Sequence, residues 1–197
     1  RRDANPPTGT IRINGGAQYT NNSRVRLELH ATDAEGPVDA MAFSTDGRSW
    51  SSEEAYRESK EMNLPGGDGV KTVYVRYRDA AGNLSQAYSA QIELDTRSPR
   101  ISDISVNVVS DDTVEIAWRT DEPTFGVVRY SAGGRDYGIR SNDTRSLFRG
   151  DYGTEHRVRI NRLQAGRTYY AVIEATDRAE NRSTSQEFSF ETSKGSE

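Results

Sequence analysis

The chain contains no cysteine and only two histidines, His30 and His156. Disulfides, iron–sulfur clusters, thiolate zinc sites and cysteine nucleophiles are therefore excluded together, and two imidazoles far apart in the chain give no basis for a histidine metal cluster or a catalytic triad. Lysine is scarce as well: Lys60, Lys71 and Lys194 are the only three, and arginine supplies the rest of the 26 basic residues. Against 30 acidic residues the formal net charge is −4, and neither half of the chain is basic. A nucleic-acid or anionic-membrane binder needs a positive face, so neither partner is expected. No apolar run approaches the length of a membrane span, which argues against membrane insertion of this segment. Hydrophobic residues make up only 33% of the 197, which predicts thin cores.

Those hydrophobic residues fall in short alternating runs. Val25, Leu27 and Leu29 alternate with Arg24, Arg26, Glu28 and His30; Val73, Val75 and Tyr77 alternate with Arg76 and Arg78; Ile92 and Leu94 alternate with Gln91 and Glu93. A period of two places one face in a core and the other in water, so each run predicts a strand. Thr10–Ile13, Val38–Ser44 and Tyr56–Leu64 are shorter candidates. Asn14-Gly15-Gly16, Asp46-Gly47, Pro65-Gly66-Gly67 and Gly82-Asn83 supply turns between them. The charged stretch 51–61 has room for one or two helical turns, but no long helical stripe occurs anywhere. Further on, Val114, Ile116 and Trp118 alternate with Glu115, Ala117 and Arg119, and Val127–Tyr130, Val158–Ile160, Tyr169–Ala175 and Phe188–Phe190 follow. Short strands with regular turns predict β-sandwiches. Proline-bearing stretches at Asn5-Pro6-Pro7 and Ser98-Pro99 mark where strands begin, and the second divides the chain into two domains, 1–97 and 98–197. The chain opens on Arg1 without an apolar leader and is expected to be a piece of a longer protein.

The run Val114 to Pro123 followed by Val128-Arg129-Tyr130, the stretch Leu163-Gln164-Ala165-Gly166-Arg167-Thr168-Tyr169 and the hairpin Ala175-Thr176-Asp177-Arg178-Ala179-Glu180-Asn181 together resemble fibronectin type III domains. The particular likeness is to those of bacterial extracellular proteins and those preceding the catalytic domain of purple acid phosphatases. Ala165 stands where that family has proline and Glu180 where it has glycine. The first half is similar to bacterial immunoglobulin-like repeats through Ile13 to Ala17, Met41 to Ser44, Asp46-Gly47 with Trp50, Gly67-Asp68-Gly69 with Lys71 to Val75, and Asp79-Ala80-Ala81-Gly82-Asn83. The resemblance implies a tandem of an immunoglobulin-like and a fibronectin type III-like domain in a secreted or surface protein, extracellular, at the cell surface or periplasmic. Its motifs are turns and core positions and bring no catalytic residues with them.

Candidate chemistry resolves mostly into structure. Asp33, Asp79 and Asp177 sit at turns where a carboxylate accepts backbone amides; none has the spacing of a twelve-residue calcium loop. No metal site is therefore assigned, with weak calcium binding near Asp79 or Asp95 left open. The neighbours Asp111-Asp112, Asp121-Glu122 and Glu53-Glu54 point to opposite faces of a strand and cannot flank one glycosidic bond. No catalytic residue and no cofactor site is assigned. Trp118 and Tyr169 are core positions, the latter as a corner tyrosine tying a loop to the sheet. Tyr19, Trp50, Tyr56, Tyr137, Phe148 and Tyr152 lie in or beside loops, where a planar ring can stack on a sugar or anchor a protein partner. Arg12, Arg24, Arg26, Arg76, Arg78, Arg157 and Arg159 face outward, interleaved with Glu28, Glu93 and Glu155 as a solvated, edge-protecting surface.

The reading is thus an all-β chain of two tandem antiparallel sandwiches, expected to be a monomeric, non-catalytic spacer and interaction region with a protein or polysaccharide partner. The alternative is a carbohydrate-binding or accessory module attached to a catalytic domain outside this segment.

Overall fold

The structure, a computed structural model, describes residues 3–133, 137–142 and 152–195. The chain separates into two compact units, Arg1–Thr96 and Arg97–Glu197. Both are built of strands, and among the described residues no helix is long and apolar enough to cross a membrane.

The first unit contains β1 (Thr8–Ile13), β2 (Tyr19–Thr20), β3 (Arg24–Thr32), β4 (Val38–Ser44), β5 (Glu54–Ala55), β6 (Ser59–Asn63), β7 (Gly69–Asp79) and β8 (Tyr88–Leu94). One sheet runs β1-β3-β6 and the other β2-β8-β7-β4-β5, antiparallel except for the two-residue β2–β8 pairing. The alternation seen in the sequence sets which residues meet. Ile11 and Ile13 pair with Leu29 and Leu27 on β3, and their side chains face Met41, Phe43, Val73, Val75, Tyr77, Ile92 and Leu94 of the other sheet. Each fully buried aliphatic side chain in this layer contributes about 1.5–3 kcal/mol. Tyr77 is completely buried, and its hydroxyl donates to the Thr10 carbonyl at 2.7 Å, joining the two sheets.

The stretch 51–61 forms no helix; it carries β5 and the start of β6. The strand expected from Tyr56 begins only at Ser59, because Tyr56 instead continues the β4–β5 pairing of the other sheet. Its amide donates to the Asp39 carbonyl, its ring packs edge-on to Tyr77, and its hydroxyl accepts the Ala31 amide at 3.0 Å. Tyr56 is therefore a half-buried ring packed against the core rather than a loop aromatic offered to a ligand.

The second unit contains β9 (Ile101–Val108), β10 (Val114–Ser131), β11 (Ile139–Asn142), β12 (Gly153–Ile160), β13 (Thr168–Asp177), β14 (Arg182–Thr184) and β15 (Phe188–Glu191). Strand β10 belongs to both layers. Its first half pairs with β9 and β12, and its second half, from Thr124 on, pairs with β11 and β13. The register shifts between Arg119 and Thr124, where Pro123 cannot donate to a ladder. Strands β14 and β15 complete the second layer against β13. Between the layers lie Val114, Ile116, Trp118, Val128, Tyr130, Val158, Ile160, Ala171, Ile173 and Phe190. The Gln164 amide donates to the Tyr169 hydroxyl at 2.8 Å, the corner contact anticipated for this residue.

Candidate functional site

The two Asp-bearing hairpins have the same construction. In the first unit, Asp79 ends β7 and accepts the Asn83 amide and the Asn83 side-chain NH2, each at 2.8 Å. In the second, Asp177 ends β13 and accepts the same two groups of Asn181 at 2.9 and 2.8 Å. Both aspartates are 1% exposed. Gly82 takes φ 95° in one hairpin and Glu180 takes φ 70° in the other. A hydroxyl then fastens each hairpin's return. Ser85 accepts the Tyr77 amide and donates to the Gln86 carbonyl, and Ser185 accepts the Ile173 amide and donates to the Gln186 carbonyl. Burial opposes ionisation of Asp79, but the side-chain and backbone hydrogen bonds from Asn83 outweigh it and hold the carboxyl below its ordinary range.

The Asp79 hairpin does not stand alone. Pairing of Thr8 with Thr32 brings the segment before β1 beside the end of β3, and β7 of the other sheet ends close by. As a result one carboxylate oxygen each from Asp3, Asp33 and Asp79 lie within 4.8 Å of one another. The Asn83 side-chain NH2 also donates to the Asp3 carbonyl at 3.3 Å. Asp33 Oδ1 accepts the amides of Glu35 and Gly36 at 2.8 and 3.1 Å, as its turn position predicts, whereas Oδ2 is enclosed and accepts nothing. A shared hydrogen bond and like charge from Asp3 push the neighbouring Glu35 carboxyl up. Asp3 escaped the sequence reading, because its proximity to Asp79 arises through β-pairing rather than through local spacing.

Other acidic residues are engaged separately. Glu53 binds Arg78 and Glu54 binds Lys60, at 2.6 Å in each case, so these neighbours serve different partners. Asp121 accepts the Arg100 amide at 2.7 Å, and Asp112 accepts the hydroxyls of Ser110 and Thr113. The outward arginines meet carboxylates as well: Arg24 pairs with Glu61, Arg119 with Glu155 and Arg157 with Glu115.

The remaining candidate aromatics are dispersed. Arg76 lies 4.1 Å from the centre of the Trp50 ring, covering it. Tyr19 forms the short β2, and the Tyr137 hydroxyl bonds Glu187. Phe148 falls outside the described residues. Tyr152 meets Phe125 edge-on at 5.8 Å and lies below Arg178. Next to Phe125 a groove of about 270 Å³ runs across the outer face of β10, β13 and β14, lined by Val127, Glu174, Thr176 and Arg182 among others. The His156 imidazole is structural: it is 3% exposed, stacks on Trp118 at 5.1 Å, and contacts the hydroxyls of Thr120 and Thr124 through Nε2 at 3.0 and 3.2 Å. It thereby closes the bend at which β10 changes layer.

Residues 99–192 match the family described as the N-terminal domain of purple acid phosphatase. No curated protein sequence matches the chain. Among solved structures, the FN1–FN3 domains of chicken CNTN1 superpose with a TM-score of 0.61 at 14% identity, over 96% of this chain and 66% of that one. Domains A168–A170 of titin give 0.62 at 14% identity, over 96% and 67%. The fibronectin(III)-like modules of Clostridium thermocellum CbhA give 0.53 at 8% identity, over 94% and 95%. This chain thus spans about two thirds of the length of the CNTN1 and titin fragments. At these identities the likeness concerns the fold alone, a β-sandwich architecture of fibronectin type III-like kind.

Proposed function

We propose that the chain is a non-catalytic spacer and interaction region of a larger bacterial extracellular or cell-surface protein. In this reading it consists of an immunoglobulin-like domain followed by a fibronectin type III-like one. The observation that carries the reading is the placement of the side chains able to do chemistry. Both hairpin aspartates and His156 are bonded into strand ends and bends, and the neighbours Glu53 and Glu54 serve different structural partners, Arg78 and Lys60. General acid/base hydrolysis needs two such groups convergent on one substrate position. The family likeness of residues 99–192 to a domain that precedes a catalytic one supports the same role. The partner is a protein or a polysaccharide, not nucleic acid, and the chain acts as a monomer. Purified chain should read background against phosphatase, esterase and glycosidase substrates. Turnover that survives repurification and disappears with Asp121→Ala or Glu122→Ala would overturn the reading.

A second reading rests on the groove beside Phe125 and Tyr152. The half-buried Phe125 lines the groove, with Tyr152 edge-on behind it, and together with Thr176, Glu174 and Arg182 it combines a stacking face with hydrogen-bonding groups, the combination a sugar ring requires. In that case the chain is a carbohydrate-binding or accessory module for a catalytic domain elsewhere in the parent protein. Sedimentation with insoluble cellulose, chitin and xylan distinguishes the two. Retention that is lost with Tyr152→Ala favours the module, and uniform recovery in the supernatant favours the spacer.

A further inference from the structure

We infer that the first unit holds one calcium ion between Asp3, Asp33 and Asp79. Their converging oxygens lie within 4.8 Å of one another, about the span across a single calcium ion whose ligands sit at roughly 2.3–2.6 Å. Three carboxylates so close repel unless a cation lies among them or one of them keeps its proton. Among the described residues no lysine or arginine pairs with any of the three, nor with Glu35 beside them.

The Asp33 side chain supplies an independent sign. One of its oxygens is used by the turn, and the other is enclosed without a donor. Buried acceptors are almost always bonded, because losing water without replacement is costly, most of all for a charged oxygen. No nearby backbone amide meets this one, and a cation would. The ligands are also held in advance. Asp79 is fixed by Asn83, and the same Asn83 NH2 ties the main chain of residue 3 to the hairpin. The donor set is carboxylate oxygen with neither sulfur nor imidazole, which selects a hard cation. Calcium accepts irregular oxygen ligands from separate segments, whereas magnesium demands near-octahedral geometry and gives up its water reluctantly.

The test uses the full chain, labelled with 15N, freed of metal by chelator and titrated with CaCl2 while amide resonances are followed. The amides of Glu35, Gly36 and Asn83 should shift saturably, with a midpoint between about 10 μM and 1 mM, the range of modest calcium sites. The melting temperature should rise by several degrees at about 10 mM calcium. Asp33→Asn keeps an Oδ1 acceptor for the turn and should weaken the midpoint at least about tenfold, as should Asp3→Asn, which lies before the first strand and outside the core. If these three amides stay unmoved at about 10 mM calcium, or if both variants bind as the parent does, the site does not exist. MgCl2 giving an equal midpoint would overturn the assignment to calcium. Each of these outcomes leaves the spacer reading standing.

Discussion

At the scale of single residues, the clearest tension is Glu180. It occupies the left-handed position that Gly82 fills in the corresponding hairpin, with φ 70°. A side chain there costs about 1–2 kcal/mol, and glycine returns part of that as unfolded-state entropy. Glu180→Gly should therefore stabilise the second unit by about 0.5–1 kcal/mol, read as a higher denaturation midpoint with an unchanged slope. A lower midpoint would mean that the backbone at this turn is not strained. Asp46 offers a test in acid. The amides of Arg48 and Ser49 and the Ser44 hydroxyl donate to its carboxylate and hold its pKa well below the ordinary value. The folded-state value lies below the unfolded one, so the stabilisation is fully present above the unfolded pKa of about 3.9 and is lost as pH falls through the folded value. Stability measured from about pH 5 down to pH 2 should fall less steeply in Asp46→Asn than in the parent chain.

At the scale of elements, β10 is the demanding one, since a single strand serves both layers and must bend between them. The bend is stabilised by a compact group in which His156 lies flat on Trp118 and reaches Thr120 and Thr124. Gly126, just past the bend, makes room for the indole; a Cβ there would lie 2.2 Å from Trp118 Cζ2. Backbone on one side and a packed core on the other leave the ring little freedom to withdraw. Gly126→Ala should destabilise the second unit by about 1–3 kcal/mol, the usual range for overpacking, and should alter the near-ultraviolet signal of Trp118. A variant as stable as the parent would show that the indole can move aside.

At the scale of the whole molecule, composition and bonding point the same way. Several outward arginines, Arg24, Arg119 and Arg157 among them, are paired with carboxylates at exposed positions, and such pairs contribute about 0–1 kcal/mol each. They screen strand edges and solubilise the chain more than they stabilise it. Each unit carries its own aliphatic core, which accounts for a chain that folds with only 33% hydrophobic residues. Far-ultraviolet circular dichroism should show sheet, with helix in fewer than about a fifth of residues. A larger helical signal would contradict the architecture.

The sequence by itself determined the all-β class, most of the strands, and the core roles of Trp118 and Tyr169. All of these follow from period-two alternation and turn chemistry, which act over a few residues and leave a local trace. The hydrogen bonds of Asp33, Asp79 and Asp177 to nearby amides were legible for the same reason. Where side chains came from separate strands, local spacing was silent. Tyr56 was read as an aromatic in or beside a loop and packs against the core instead, because its partners Tyr77 and Ala31 lie on other strands. The Thr120–Thr124–His156 group joins β10 to β12, and the Asp3–Asp33–Asp79 cluster joins three segments through strand pairing. The tertiary structure alone decided these arrangements, since strand register fixes which distant side chains share a few ångströms and no short-range pattern encodes register between non-neighbouring strands.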